Sequence, residues 1–156
     1  MTDYNKIEQV KQIIENLLTN AGFEARVDYE ESITKGLVFN ISSPESRMLI
    51  GRQGGTLHAI QILAQNISAK QSPSENPYWF TLDVDDYKRK REWFLKETAR
   101  GAVEHLKKTG KPVRLEIMPN FERRFIHAYL QENNPEVVSE SQGEDPYRRI
   151  VISYKN

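Results

Sequence analysis

Gly51, Arg52, Gln53, Gly54 and Gly55 stand together, and apolar residues at helical spacing follow them. A turn made by Gly51 and Gly54 lets the backbone come close to a phosphate, because no Cβ stands in the way. The N–H groups of a helix starting straight after the turn would face that phosphate, aided by the helix dipole. Arg52 would add a positive charge at the tip. A second set lies further along the chain. Arg123, Arg124 and His127 fall within an arc of roughly 100° on one helix face, and Arg148-Arg149 precedes an apolar run. Guanidinium groups with an imidazole suit a phosphate or a stacked base. The plainer alternatives are a tight helix–helix turn at the first set and a solvated helix face at the second, with His127 packed at its edge.

Composition points to no other chemistry. The 156 residues hold no cysteine, which excludes disulfides and thiolate metal sites and fits a reducing compartment. His58, His105 and His127 are widely separated and lack a ligand-like grouping, so no metal is expected. No carboxylate, nucleophile or metal is placed beside His127, so we expect neither an enzyme nor a cofactor. No apolar stretch approaches the roughly 20 residues of a membrane span, and no signal peptide is expected. With 38% apolar and 28% charged residues, the chain reads as globular. Its net charge of zero hides an asymmetry. Residues 1–85 carry 7 Lys and Arg against 11 Asp and Glu, and residues 86–156 carry 15 against 11, giving −4 and +4. The positive charge a nucleic-acid binder needs is thus concentrated in the second half.

These groups need elements to hold them. Ile7, Val10, Ile13, Ile14, Leu17, Leu18 and Ala21 recur every three or four residues and predict an opening helix, closed by Gly22. Phe23, Ala25, Val27 and Tyr29 alternate with polar residues and predict a strand. A polar turn over 31–36 leads to a second strand, 37–41. Ser43 and Pro44 predict the cap and first turn of a short helix that runs into the glycine turn. Leu57, Ile60, Ala64 and Ile67 give the next helix its apolar stripe, as far as Lys70. Residues 71–77 read as loop, and Tyr78, Phe80, Leu82 and Val84 as a third strand.

In the second half, Asp86 is expected to cap a long helix from 87 to 109, closed by Gly110 and Pro112. Tyr87, Phe94, Leu95, Thr98, Ala102 and Leu106 lie near its apolar stripe. Lys88, Arg89, Lys90 and Arg91 form the densest basic run in the chain. Four consecutive helical residues point around the whole helix, so at most two can serve one surface. Val113, Leu115 and Ile117 predict a strand. Pro119 or Asn120 starts the helix bearing Arg123 and His127, with Phe125, Ile126, Tyr129 and Leu130 on its opposite side. Strands are expected near 136–139 and 147–153, joined by a long turn over 139–146.

The order helix, strand, strand, helix, glycine turn, helix, strand over residues 1–85 resembles the type II, prokaryotic arrangement of the KH fold. Arg123 and His127, with three residues between them, followed by a Ser-rich loop and Arg-Arg before an apolar strand, resemble the R-3-H domain over about 87–154. With the phrases Arg52-Gln53-Gly54-Gly55-Thr56-Leu57-His58, Leu82-Asp83-Val84-Asp85-Asp86-Tyr87 and Glu122-Arg123-Arg124-Phe125-Ile126-His127, the whole chain resembles the bacterial Jag family, also called SpoIIIJ-associated or KhpB-like proteins.

The resemblance implies an α+β protein of two small domains. A type II KH domain (α-β-β-α-α-β) would span 1–85, and an R-3-H domain, helices on a small three-stranded sheet, 86–156. The family's extra N-terminal domain is expected to be absent. The implied function is non-catalytic, cytoplasmic binding of single-stranded RNA, with single-stranded DNA a further candidate, by a post-transcriptional regulator or RNA chaperone linked to cell elongation and division. RNA-binding residues would be Gly51, Arg52, Gln53, Gly54, Gly55, Arg123, Arg124, His127, Arg148 and Arg149. A small single-KH protein or a second copy is the implied protein partner. The alternative function is an adaptor that pairs with another KH protein, with RNA binding secondary.

Overall fold

The computed structural model describes residues 4–32, 36–71 and 79–155. The chain is α+β and divides into two compact units, Met1–Lys88 and Arg89–Asn156. The first contains α1 (Tyr4–Asn20), β1 (Arg26–Ser32), β2 (Gly36–Ser42), α2 (Ser46–Ile50), a single 3-10 turn (Arg52–Gly54), α3 (Gly55–Gln71) and β3 (Phe80–Val84). The second is built on α4 (Tyr87–Thr109), β4 (Val113–Ile117), α5 (Asn120–Asn133), β5 (Val137–Gln142) and β6 (Arg149–Tyr154).

In the first unit, α1 buries Ile7, Val10, Ile13, Ile14 and Leu18. The helix stops at Gly22 (φ 84°), where the Gly22 N–H donates to Thr19 O (3.0 Å) and the Phe23 N–H to Leu18 O (2.9 Å). Those two bonds are the Schellman closure that glycine's left-handed backbone allows. They also delay β1. Its ladder opens at Arg26↔Ser42, so Phe23 and Ala25, expected in the strand, pack on the core from outside it. Pairing runs through Glu31↔Leu37 and Ser32↔Gly36, which shortens the expected turn over 31–36. Within that turn 33–35 lie outside the described residues, as do Tyr78 and 72–77 of the expected loop.

The sheet order is β1-β2-β3, antiparallel then parallel. Phe39, fully buried in β2, meets Phe80 of β3 edge to face at 5.4 Å. Fully burying one such side chain contributes ~1.5–3 kcal/mol, so the α1, β2 and β3 faces hold this unit together. Ser43 does not cap α2. Its hydroxyl donates to Glu24 O (2.7 Å) and accepts the Glu45 N–H (3.1 Å), making a turn one step earlier, and Glu45 is the residue before the helix. Asp86 does not have a cap's extended backbone either. Asp85 and Asp86 are left-handed (φ 50° and 62°), and Asp83 accepts the Lys88 N–H at 3.1 Å.

In the second unit, α4 buries Leu95, Ala99, Ala102, Val103 and Leu106 and ends at Gly110 (φ 69°), whose N–H donates to Leu106 O at 2.8 Å. Phe94, expected in this stripe, is half exposed, because the buried seam runs one residue further round the helix. The sheet order is β4-β6-β5, with both pairings antiparallel. The ladder between β5 and β6 runs from Val137↔Tyr154 to Gln142↔Arg149, so 139–142 are strand where a turn was expected.

Candidate nucleic-acid interface

The glycine turn forms because glycine is the one residue that fits twice. Gly51 has φ 70°, and a Cβ there would overlap the Thr56 side chain and come within 2.9 Å of its backbone N. Gly54 has φ 76°, and a Cβ there would lie 2.7 Å from the Tyr87 ring. Between them Arg52 is exposed and Gln53 takes a left-handed conformation (φ 51°, ψ 32°), uncommon for a side chain of its length. Gly55 is already helical and opens α3, as expected. One expectation changes. The Gly54 N–H is taken by Gly51 O (3.4 Å) and the Gly55 N–H by Arg52 O, so neither is held open at the start of α3 for a phosphate.

The second set is split by burial. Arg124 is exposed on α5, but Arg123 is 4% exposed and is no part of a solvent face. Its Nη1 donates to Met118 O (2.8 Å) and to Asp145 Oδ1 (3.1 Å). Glu122 is 1% exposed and accepts both a 2.7 Å bond from Arg91 Nε and a 2.9 Å bond from Arg91 Nη2. The inward face of α5 is therefore Glu122, Arg123, Ile126 and Leu130, whereas Phe125 and Tyr129 are only partly buried. The apolar pattern alone suggested otherwise, since two charged residues go inside when distant partners satisfy them.

His127 is half-buried between α5 and β5. Ser139 Oγ lies 2.6 Å from Nδ1 and Ser141 Oγ 2.9 Å from Nε2. A hydroxyl can donate or accept, so either tautomer is served. Burial, then the charges of Arg123 and Arg148, push the His127 pKa below its usual 6.5. Arg148 is half-buried. Its Nη2 donates to Ser141 O at 3.4 Å, and its Nε is buried with no hydrogen-bond partner among the described residues. Arg149 is half-buried in β6, paired with Gln142 and Ile117. A cleft of about 500 Å³ opens beside His127, lined among others by Gln131, Ser139, Ser141 and Lys155. The structure thus gathers His127 with Arg123 and Arg148. It adds Ser139 and Ser141, which the expected turn had hidden although their period-two spacing with Val137 was there to read.

The basic run also divides. Lys88 Nζ donates to Gln61 Oε1 (2.7 Å) in the first unit, and Arg91 is committed to Glu122 in the second. Among the described residues no three His, Asp or Glu side chains group as a metal would require, and no helix is long and apolar enough to cross a membrane.

Residues 94–154 match the R-3-H domain, a span that runs from within α4 to the end of β6. The chain is 34% identical over 149 residues to RNA-binding protein KhpB of Clostridium symbiosum, covering 96% of this chain and 64% of that protein. It is 39% identical over 116 residues to the protein of the same name from Lactiplantibacillus plantarum (74% and 35%), and 31% over 150 residues to that of Bacillus subtilis (96% and 71%). The chain belongs to the KhpB family. It spans under two thirds of the Clostridium and Lactiplantibacillus proteins.

Proposed function

We propose that this chain is a non-catalytic binder of single-stranded RNA that holds the strand mainly by its phosphates. The observation that carries this is the turn at Gly51 and Gly54, flush against Thr56 and Tyr87, with Arg52 exposed at its tip. A backbone bare of side chains at both ends of the turn, with one guanidinium at its tip, lets a phosphodiester approach closely. The first unit is read as a type II KH domain over 1–85, and 86–156 as the R-3-H domain. In the latter, Arg124, His127, Arg148 and Arg149 offer a second contact, supported by the exposure of Arg124 and the cleft that opens beside His127. The names of the relatives agree with RNA as ligand. A cytoplasmic role as a post-transcriptional regulator or RNA chaperone in cell elongation and division is the physiological reading.

The test replaces Arg52 and Gln53 together with aspartate. Both side chains lie outside the core, and aspartate tolerates the left-handed backbone at Gln53. Stability should stay within ~0.5 kcal/mol per site, while RNA affinity falls at least about tenfold as attraction turns to repulsion. Unchanged affinity in a folded variant would remove the turn from the binding site.

A second reading, pairing with another KH protein, is favoured by Ile62 and Leu63 on α3, 44% and 50% exposed. Ile62→Asp should then abolish pairing at micromolar concentration and spare RNA binding. Sedimentation of the wild-type chain as a monomer, alone and with a single-KH protein, would reject this reading.

A further inference from the structure

Trp93 and Phe94 are consecutive exposed residues on the second turn of α4, 65% and 51% exposed. The buried seam of the helix runs through Leu95, Ala99, Ala102, Val103 and Leu106, so neither ring belongs to it. Adjacent large rings left in water mark a contact surface. The surrounding charge says what kind. Arg89 and Lys90 are exposed one turn before the rings, Asp85 and Asp86 lie a further turn back, and Glu92 and Glu97 pair with Lys96 (2.8 Å) and Arg100 (2.9 Å). The Arg91 guanidinium, anchored by Glu122, lies 5.0 Å from the Phe94 centroid and covers one side of that ring. The ring still shows half its surface.

We propose that Trp93 and Phe94 form a stacking platform for unpaired bases of a single strand, with Arg89 and Lys90 drawing in the adjoining phosphates. Every base has a flat π face, so aromatic rings beside basic side chains hold a strand without choosing its sequence. Tryptophan and phenylalanine lose only two torsions each on contact, so little entropy opposes it. A polyanion fits this basic setting better than an apolar peptide does. The inference rests on the RNA reading above and adds a surface to it.

The experiment measures fluorescence anisotropy of the full chain with a labelled oligouridylate and with an abasic phosphodiester of the same length. Trp93→Leu and Phe94→Leu should each weaken oligouridylate binding about tenfold. The abasic strand should bind them as it binds the wild type, and Trp93→Phe should restore most of the loss. Wild-type oligouridylate affinity in both leucine variants overturns the platform and leaves the RNA reading standing. Equal losses on both strands also overturn it, since bases would then not be what the rings hold. If the wild-type chain binds neither strand, the RNA reading fails and the platform with it. Loss of self-association in Trp93→Leu with RNA affinity intact would assign the rings to a protein contact and overturn the proposal.

Discussion

Arg91 grips the Glu122 carboxylate by both oxygens, at 2.7 and 2.9 Å, although Glu122 is 1% exposed. The pair joins the first turn of α5 to α4 across 31 residues of sequence. Its two ends are not equivalent, because Arg91 keeps 21% of its side-chain surface and Glu122 almost none. Arg91→Met would strand a buried carboxylate and should cost about 3–5 kcal/mol. Adding Glu122→Leu should recover most of that, since an apolar pair often replaces a buried ion pair without loss. Urea unfolding of the two variants checks this. A single variant as stable as the wild type would mean the pair holds nothing.

His127 makes stability depend on pH with a definite sign. Burial, then Arg123 and Arg148, place its folded pKa below the unfolded 6.5. The unfolded chain therefore takes the proton first, and the fold loses stability as pH drops through about 6.5, levelling off once the folded ring is protonated. Melting temperatures at about pH 7.5 and 5.5 should fall more for the wild type than for His127→Gln. If an imidazolium meets a phosphate, affinity should rise on acidification too, but from below 6.5 rather than across neutrality. Identical pH responses in the two proteins would make the ring silent.

Arg123 and Arg124 should separate stability from binding. Asp145 is 66% exposed, so its pairing with Arg123 is screened and contributes little. The bond to the Met118 carbonyl matters more, and Arg123→Met should cost ~2 kcal/mol by leaving a carbonyl unmatched. Arg124→Ala should change stability by less than ~0.5 kcal/mol. It should instead lower RNA affinity and reduce the slope of log affinity against log salt by about one. The wild-type slope should itself be steep. A salt titration with a flat response would argue against phosphate-led binding.

Alanine at Gly51 or Gly54 should disturb the turn through its neighbours. Each site combines a left-handed backbone with a blocked Cβ position, against Thr56 or Tyr87. The expected loss is roughly 2–4 kcal/mol at either site, from strain plus overpacking. At Gly54 the Tyr87 ring can shift, so Gly54→Ala combined with Tyr87→Leu should regain part of it. Gly51→Ala has backbone in its way and should not be rescued by Thr56→Ser alone. Thermal melts of the four variants decide the matter.

Local order was legible wherever one residue type dictates a backbone. Gly22 closing α1, Gly110 closing α4, and Gly51 with Gly54 around Arg52 all stand where spacing and composition put them, because left-handed turns favour glycine over other residues. The α+β order of elements follows from periodicities of two and three to four, which are properties of short windows. Strand ends were less legible: β1 starts at Arg26 and β5 runs to Gln142 because a partner strand supplies the pairing.

The side-chain roles at the second site depended on contacts no window contains. Arg123 and Glu122 look like surface charges on α5, yet Met118, Asp145 and Arg91 give them polar partners inside, so burial costs little. Phe94 looks like core and is left in water, because the seam of α4 is chosen by what packs on it. Ser139 and Ser141 read as turn residues until β6 pairs beside them and turns both hydroxyls to His127. Sequence by itself determined which backbones could bend and which stretches would be helix or strand. Tertiary structure decided which charges face the solvent, because burial of a charge depends on partners that folding alone brings together.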